Sequence, residues 1–165
     1  MKIRTRFTLL FTFIVGIIIF FFSLSIYYLS EEYRQSDFQS RLQDRAVARL
    51  KLFLVARTDT KQLLQKNKED HLYSLINENI IIYDENYNIL YFDNQTYKPN
   101  AGSLANVKQK GKDTYKTGDN EIIGFNYNHQ GKSYILYASA FDKYGTRYVK
   151  NLRKILIVRG FILFF

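Results

Sequence analysis

An α+β fold is predicted for this chain, from three features of its sequence. The first third is helical in pattern: Phe7–Leu29 carries no charge, and a helical apolar period continues to about Arg57. The middle holds short runs of β-branched and aromatic residues separated by turn residues. A second apolar run begins at Ile155 and is still continuing at Phe165. The expected architecture is a long N-terminal transmembrane helix, a small antiparallel sheet domain with helices packed on one face, and the start of a second, truncated transmembrane helix.

Of the 165 residues, about thirty-four are apolar anchor, which leaves room for one small domain with a modest core. There is no cysteine, which excludes a disulfide framework and a thiolate metal site. The net charge is +9. Nineteen of the 24 Lys and Arg, and all 15 Asp and Glu, lie between Glu31 and Arg153, so the middle is only about +4. The other five cations are Lys2, Arg4, Arg6, Lys154 and Arg159, at the membrane flanks or inside the second run. Such a distribution suits lipid headgroups. Without a clustered basic motif, nucleic acid is not an expected partner.

As a helix, Phe7–Leu29 rises about 34 Å, enough to cross a hydrocarbon core of about 30 Å. The run is longer than the apolar region of a signal peptide, and Ser23–Tyr28 offers no convincing cleavage context, so an uncleaved anchor is expected. Tyr27 and Tyr28 then lie at an interface. The cations at Lys2, Arg4 and Arg6 favour a cytoplasmic N-terminus and a domain outside, although Arg34, Arg41, Arg45 and Arg49 on the far side bring the count close to even.

From Ser30 to Arg57, Phe38, Leu42, Ala46, Leu50 and Phe53/Leu54 recur at helical spacing opposite Arg and Asp. The stripe reads as an amphipathic core helix and equally as a rigid rod between domain and membrane. A short helix is expected at His71–Asn77. Ile80–Asp84 and Ile89–Asp93 read as strands around the turn Glu85–Asn88. Ala101–Lys110 reads as a helix ended by Gly111. Glu121–Asn128 and Lys132–Phe141 read as strands joined through His129-Gln130-Gly131, with Tyr115–Thr117 as a fifth strand. Asp142–Lys154 reads as a charged helical lead with Tyr144, Val149 and Leu152 as apolar contacts. The expected boundaries are 1–6 for the cytoplasmic start, 7–29 for the first membrane helix, 30–153 for the outer domain and 154–165 for the second membrane helix. Within the outer domain, 30–57 is the membrane-proximal helix and 78–141 the sheet. Ile155–Phe165 rises only about 16 Å, roughly half a crossing, so a cut inside a second membrane helix is the expected explanation.

No residue pattern points to catalysis, a cofactor or a metal. His71 and His129 are far apart, and neither has a carboxylate or histidine at metal-ligand spacing. Neither a Gly-x-Ser-x-Gly elbow nor a phosphate-binding glycine loop occurs. Glu69-Asp70 and Asp84-Glu85 read as turn carboxylates, and Asn94-Gln95-Thr96 as a chance glycosylation sequon.

The layout resembles the N-terminal sensory portion of membrane-bound sensor histidine kinases of bacterial two-component systems. The likeness is carried by Met1-Lys2-Ile3-Arg4-Thr5-Arg6-Phe7-Thr8-Leu9, by Ser25-Ile26-Tyr27-Tyr28-Leu29-Ser30, by Tyr137-Ala138-Ser139-Ala140-Phe141-Asp142-Lys143-Tyr144-Gly145 and by Asn151-Leu152-Arg153-Lys154-Ile155-Leu156. It covers nearly the whole chain. It implies an extracytoplasmic PAS-like or Cache-like domain between two helices of the bacterial inner (cytoplasmic) membrane. In the hairpin Tyr83–Leu90, Asn88 stands where that family commonly has glycine, and Asn tolerates the positive φ. The resemblance also implies a homodimer, through a signalling-helix face of Phe38, Leu42, Leu50 and Phe53. The signal would be a small molecule, peptide or ion; Tyr83, Tyr91 and Tyr137 are candidates to line its site, with core packing the competing duty. A response regulator would be reached only through kinase domains that this sequence lacks. Pilin-like assembly subunits also join an apolar helix to a small sheet, but Arg6 and Phe11 stand where they carry glycine and glutamate. A membrane-tethered enzyme is the third reading.

Overall fold

The computed structural model describes residues 3–56, 75–93, 99 and 101–164. Along the chain run α1 (Ile3–Ala56), β1 (Ile76–Tyr83), β2 (Ile89–Phe92), α2 (Ala101–Lys110), β3 (Lys112–Thr117), β4 (Asn120–His129), β5 (Lys132–Phe141) and α3 (Lys143–Phe164). The chain divides into two compact units, one of Met1–Ser36 with Lys143–Phe165, the other of Asp37–Asp142.

In the Asp37–Asp142 unit the five strands form one antiparallel sheet in the order β2-β1-β5-β4-β3. The centre is the β4–β5 hairpin, paired without interruption from Asn120↔Phe141 to His129↔Lys132. Its two-residue turn places both Gln130 (φ 49°) and Gly131 (φ 76°) in the left-handed region, the type I′ geometry whose twist matches that of the strands.

Side chains alternate between two cores, one on each sheet face. Ile80, Ile82, Ile123, Phe125, Tyr134, Leu136, Ala138 and Ala140 join Phe38, Leu42, Ala46 and Leu50 of α1. Ile81, Tyr83, Ile122, Ile135 and Tyr137 join Val107 of α2, with Leu104 packed against them. The expectation of helices on one face is therefore corrected: α1 covers one face and α2 the other. The unbroken run Ile80-Ile81-Ile82-Tyr83 follows from this, because a strand buried on both sides needs no polar face. A bidentate ion pair fixes α1 to the start of β1, with Arg45 Nε 2.6 Å and Arg45 Nη2 2.7 Å from the Glu78 carboxylate oxygens. Glu78 Oε2 also accepts from the Leu75 amide.

The helix at Ala101–Lys110 is present with the bounds expected. Gly111 (φ 76°) follows it, and its amide donates to the Val107 carbonyl at 2.9 Å. The strand at Tyr115–Thr117 extends back to Lys112, and the one at Ile80–Asp84 starts earlier, at Ile76. Of the helix expected at His71–Asn77, Ile76 and Asn77 belong to β1, and residues 71–74 lie outside the described residues, as do Glu69-Asp70 and Asn94-Gln95-Thr96. In the β1–β2 turn the left-handed residue is Tyr87 (φ 64°), not Asn88. Asn88 instead closes the turn: its amide and side-chain nitrogen both donate to Asp84, which also accepts from the Asn86 amide.

In the other unit, α1 runs unbroken through Phe7–Leu29. Among the described residues it is the one helix long and apolar enough to cross a membrane. Its large side chains there are mostly exposed, Phe7 at 71% and Phe22 at 67%. Val15, Gly16, Ile19, Ser23, Ile26, Tyr27, Ser30, Glu31, Arg34 and Gln35 are the less exposed positions, recurring at steps of three or four. On α3 the matching set is Gly145, Thr146, Val149, Leu152, Leu156 and Gly160. Stripes of this period are expected of two helices laid side by side. Val149 is buried and Leu152 half-buried, whereas Tyr144 is 76% exposed.

Candidate functional site

The polar chemistry of the sheet domain gathers under α2. Ser103, on the first turn of α2, lies with its Oγ 2.5 Å from Asp113 Oδ2 on β3 and 3.1 Å from the Tyr137 hydroxyl on β5. A serine hydroxyl has one proton. Given to the carboxylate at the shorter distance, that proton leaves Ser103 Oγ as an acceptor, so Tyr137 donates to Ser103 and Ser103 donates to Asp113. The charge at the end polarises the whole chain. Asn106 Nδ2 stands 3.4 Å from the other Asp113 oxygen.

Tyr137 is fully buried, and burial pushes its phenol up to about 12. Burial, with Tyr115 nearby, also raises the Tyr83 phenol. Both phenols are thus neutral at physiological pH, and the rings meet edge to face with centroids 6.2 Å apart. The ring of Tyr137 lies across the backbone of Gly124 on β4, where a Cβ would sit 2.4 Å from Cε1. Glycine at that point in the strand is what lets the aromatic ring lie flat on the sheet. Two further contacts hold α2. Asn126 Nδ2 donates to the Val107 carbonyl at 3.2 Å, and Lys108 Nζ sits 5.6 Å from the centre of the Tyr87 ring.

Of the three tyrosines proposed from sequence, Tyr83 and Tyr137 come together on the α2 face. Tyr91 is on the α1 face, 5.9 Å from Phe53 between ring centres, and its hydroxyl bonds to Asp93. The three do not line one site. Phe38, Leu42 and Leu50 of the proposed dimer face are at most 1% exposed against their own sheet, and Phe53 is half-buried. His129 stacks on Tyr127 in the β4 strand, and His71 lies outside the described residues. A shallow cleft of about 320 Å³ opens between Lys51, Leu54 and Val55 of α1 and the β4–β5 turn at His129 and Gln130. Among the described residues no group of three His, Cys, Asp or Glu is arranged to hold a metal.

No family model, curated protein or solved structure matches this chain.

Sequence reasoning did not find Ser103, Asp113 or Asn106, since each is a common polar residue at an ordinary position. Gly124 carried the one readable signal, an isolated glycine inside a strand pattern, which marks a close approach. Chemically the network is a donor chain ending on a carboxylate, enclosed by α2 and the sheet. It positions α2 on the sheet.

Proposed function

We propose that this chain is the sensory and signal-transducing module of a bacterial two-component sensor histidine kinase, with a PAS-like or Cache-like domain outside the cytoplasmic membrane. The observation that carries the reading is the division of the molecule. Both chain ends fall in one unit, built from the membrane-length part of α1 and from α3, and the sheet domain is the continuous stretch between them. A domain whose entry and exit are helices converts a change in its packing into relative movement of those helices. The stimulus has only to bind one packing better than the other. The five-stranded antiparallel sheet with flanking helices supports the PAS-like comparison. The stimulus is a small molecule, peptide or ion, the protein acts as a homodimer, and the kinase core and response regulator lie beyond this sequence.

The absence of cysteine makes topology directly testable. Lys132→Cys, at the β4–β5 turn, is expected to react with a membrane-impermeant maleimide on intact cells, whereas Thr5→Cys reacts only after permeabilisation. Reaction of Thr5→Cys alone on intact cells would overturn the orientation. Joining the chain to the cytoplasmic part of a histidine kinase then tests transmission. Autophosphorylation that is unaffected by every change in the sheet domain would sink the signalling role.

A further inference from the structure

The first three turns of α3 carry a one-sided arrangement that the signalling role does not require. Between Lys143 and Lys154 stand five cations and no carboxylate. At 3.6 residues per turn, Lys143, Arg147, Lys150 and Lys154 fall within about 60° of one another around the helix. All four are exposed, and none has an ion-pair partner among the described residues. The less exposed stripe of Gly145, Val149, Leu152 and Leu156 lies on the opposite side of the helix. Between these two faces sit Tyr144 and Tyr148, 76% and 64% exposed. The cations do not serve the helix itself. Its first turn has no acidic residue, and positive charge there opposes the helix dipole. Directly after Lys154 come Ile155, Ile157 and Val158, each about half exposed or more. The order along one helix is therefore cations flanked by tyrosine, then apolar side chains. Phosphate, headgroup boundary and hydrocarbon succeed one another in the same order in a lipid leaflet.

We propose that Lys143, Arg147, Lys150 and Lys154, with Tyr144 and Tyr148, form a docking face for anionic phospholipid headgroups on α3. The proposal rests on the membrane reading above. Anionic lipid held there ties the exit helix to the leaflet, so the lipid charge bears on how freely α3 moves.

The chain has no tryptophan, so Tyr148→Trp supplies a single fluorescent probe at this face and Phe20→Trp one in the apolar run of α1. The full chain is placed in nanodiscs of phosphatidylcholine and phosphatidylglycerol, with bromine on the acyl chains of one lipid or the other. The Tyr148→Trp probe is expected to be quenched at least about fivefold more effectively by brominated phosphatidylglycerol, the preference of about 1 kcal/mol that one cation near the surface confers. Lys143→Gln, Arg147→Gln, Lys150→Gln and Lys154→Gln together should abolish the preference, and exchanging the three lysines for arginine should keep it. If Phe20→Trp is quenched while Tyr148→Trp shows no preference, or is shielded from both lipids by a second copy, the docking face is overturned and the membrane reading stands. If Phe20→Trp is quenched by neither lipid, both fall.

Discussion

Tyr137 concentrates the residue-scale physics of the sheet domain. Its hydroxyl starts the donor chain through Ser103 to Asp113, and its ring fills the space that Gly124 leaves open. Tyr137→Phe keeps the ring and removes the donor, so a loss of about 1 kcal/mol is expected in chemical denaturation. The same substitution has a signature in pH. The phenol of Tyr137 is raised from 10.0 to about 12, so folding favours its protonated form. Its contribution is complete below pH 10 and is lost as pH rises toward 12, because the unfolded chain gives up the proton first. The alkaline limb of the stability profile should therefore flatten in Tyr137→Phe, and an unchanged limb would assign the transition to other groups. Gly124→Ala tests the ring contact. A methyl 2.4 Å from a ring carbon that is wholly enclosed cannot be accommodated in place, and overpacking of this kind costs about 1–3 kcal/mol or more. Combining it with Tyr137→Leu should recover part of the loss, and simple additivity in that cycle would show that the two positions do not compete for space.

For the elements, the decisive surface is the α1 stripe of Phe38, Leu42, Ala46 and Leu50, which is at most 1% exposed in the core with β1, β4 and β5. Leu42→Ala is expected to cost about 2–5 kcal/mol, against at most about 0.5 kcal/mol for Arg41→Ala on the exposed side. Cysteines placed at Phe38, Leu42 and Leu50 should fail to crosslink two copies, because each is enclosed by its own sheet. Efficient crosslinks at that period would mean that the helix leaves the sheet in a dimer. The sequence made much of this legible. The period of α1 and the bounds of α2 and β5 could be read because local chemistry sets them: spacing in the first case, Gly111 in the second, Gly131 and the run of aromatic and aliphatic residues in the third. What could not be read was which face each element covers. The unbroken apolar run of β1 carries the signal that both of its faces are covered, but it does not say which helix covers which face. The candidate site suffered from the same limit. Tyr83 and Tyr91 are near in sequence, yet one faces α2 and the other α1, because they sit on different strands joined by a turn and the register set by Ile82↔Tyr91 decides the side.

At the scale of the whole molecule, both cores are complete within Asp37–Asp142. Every buried residue of the two clusters, from Phe38 to Ala140, lies inside that stretch, as do the Arg45–Glu78 pair and the Tyr137–Ser103–Asp113 chain. Among the described residues, neither of these two clusters takes a side chain from before Asp37 or after Asp142. A fragment of residues 37–142, expressed without the apolar segments, is therefore expected to be soluble and to unfold in one cooperative transition. A shorter fragment beginning at Leu75 keeps all five strands and α2 but lacks Phe38, Leu42, Ala46 and Leu50. Burial of each large side chain is worth about 1.5–3 kcal/mol, so losing this helix removes roughly 5–10 kcal/mol, comparable with the whole stability of a small domain. It also leaves the apolar face of Ile80, Ile82, Ile123 and Leu136 open to water. The shorter fragment should aggregate or bind a hydrophobic dye, and the longer one should do neither. Cooperative folding of the fragment from Leu75 would show that the membrane-proximal helix only rests on the sheet. A movement of α1 could then leave the domain's packing unchanged, and the coupling on which the signalling reading depends would have no physical basis.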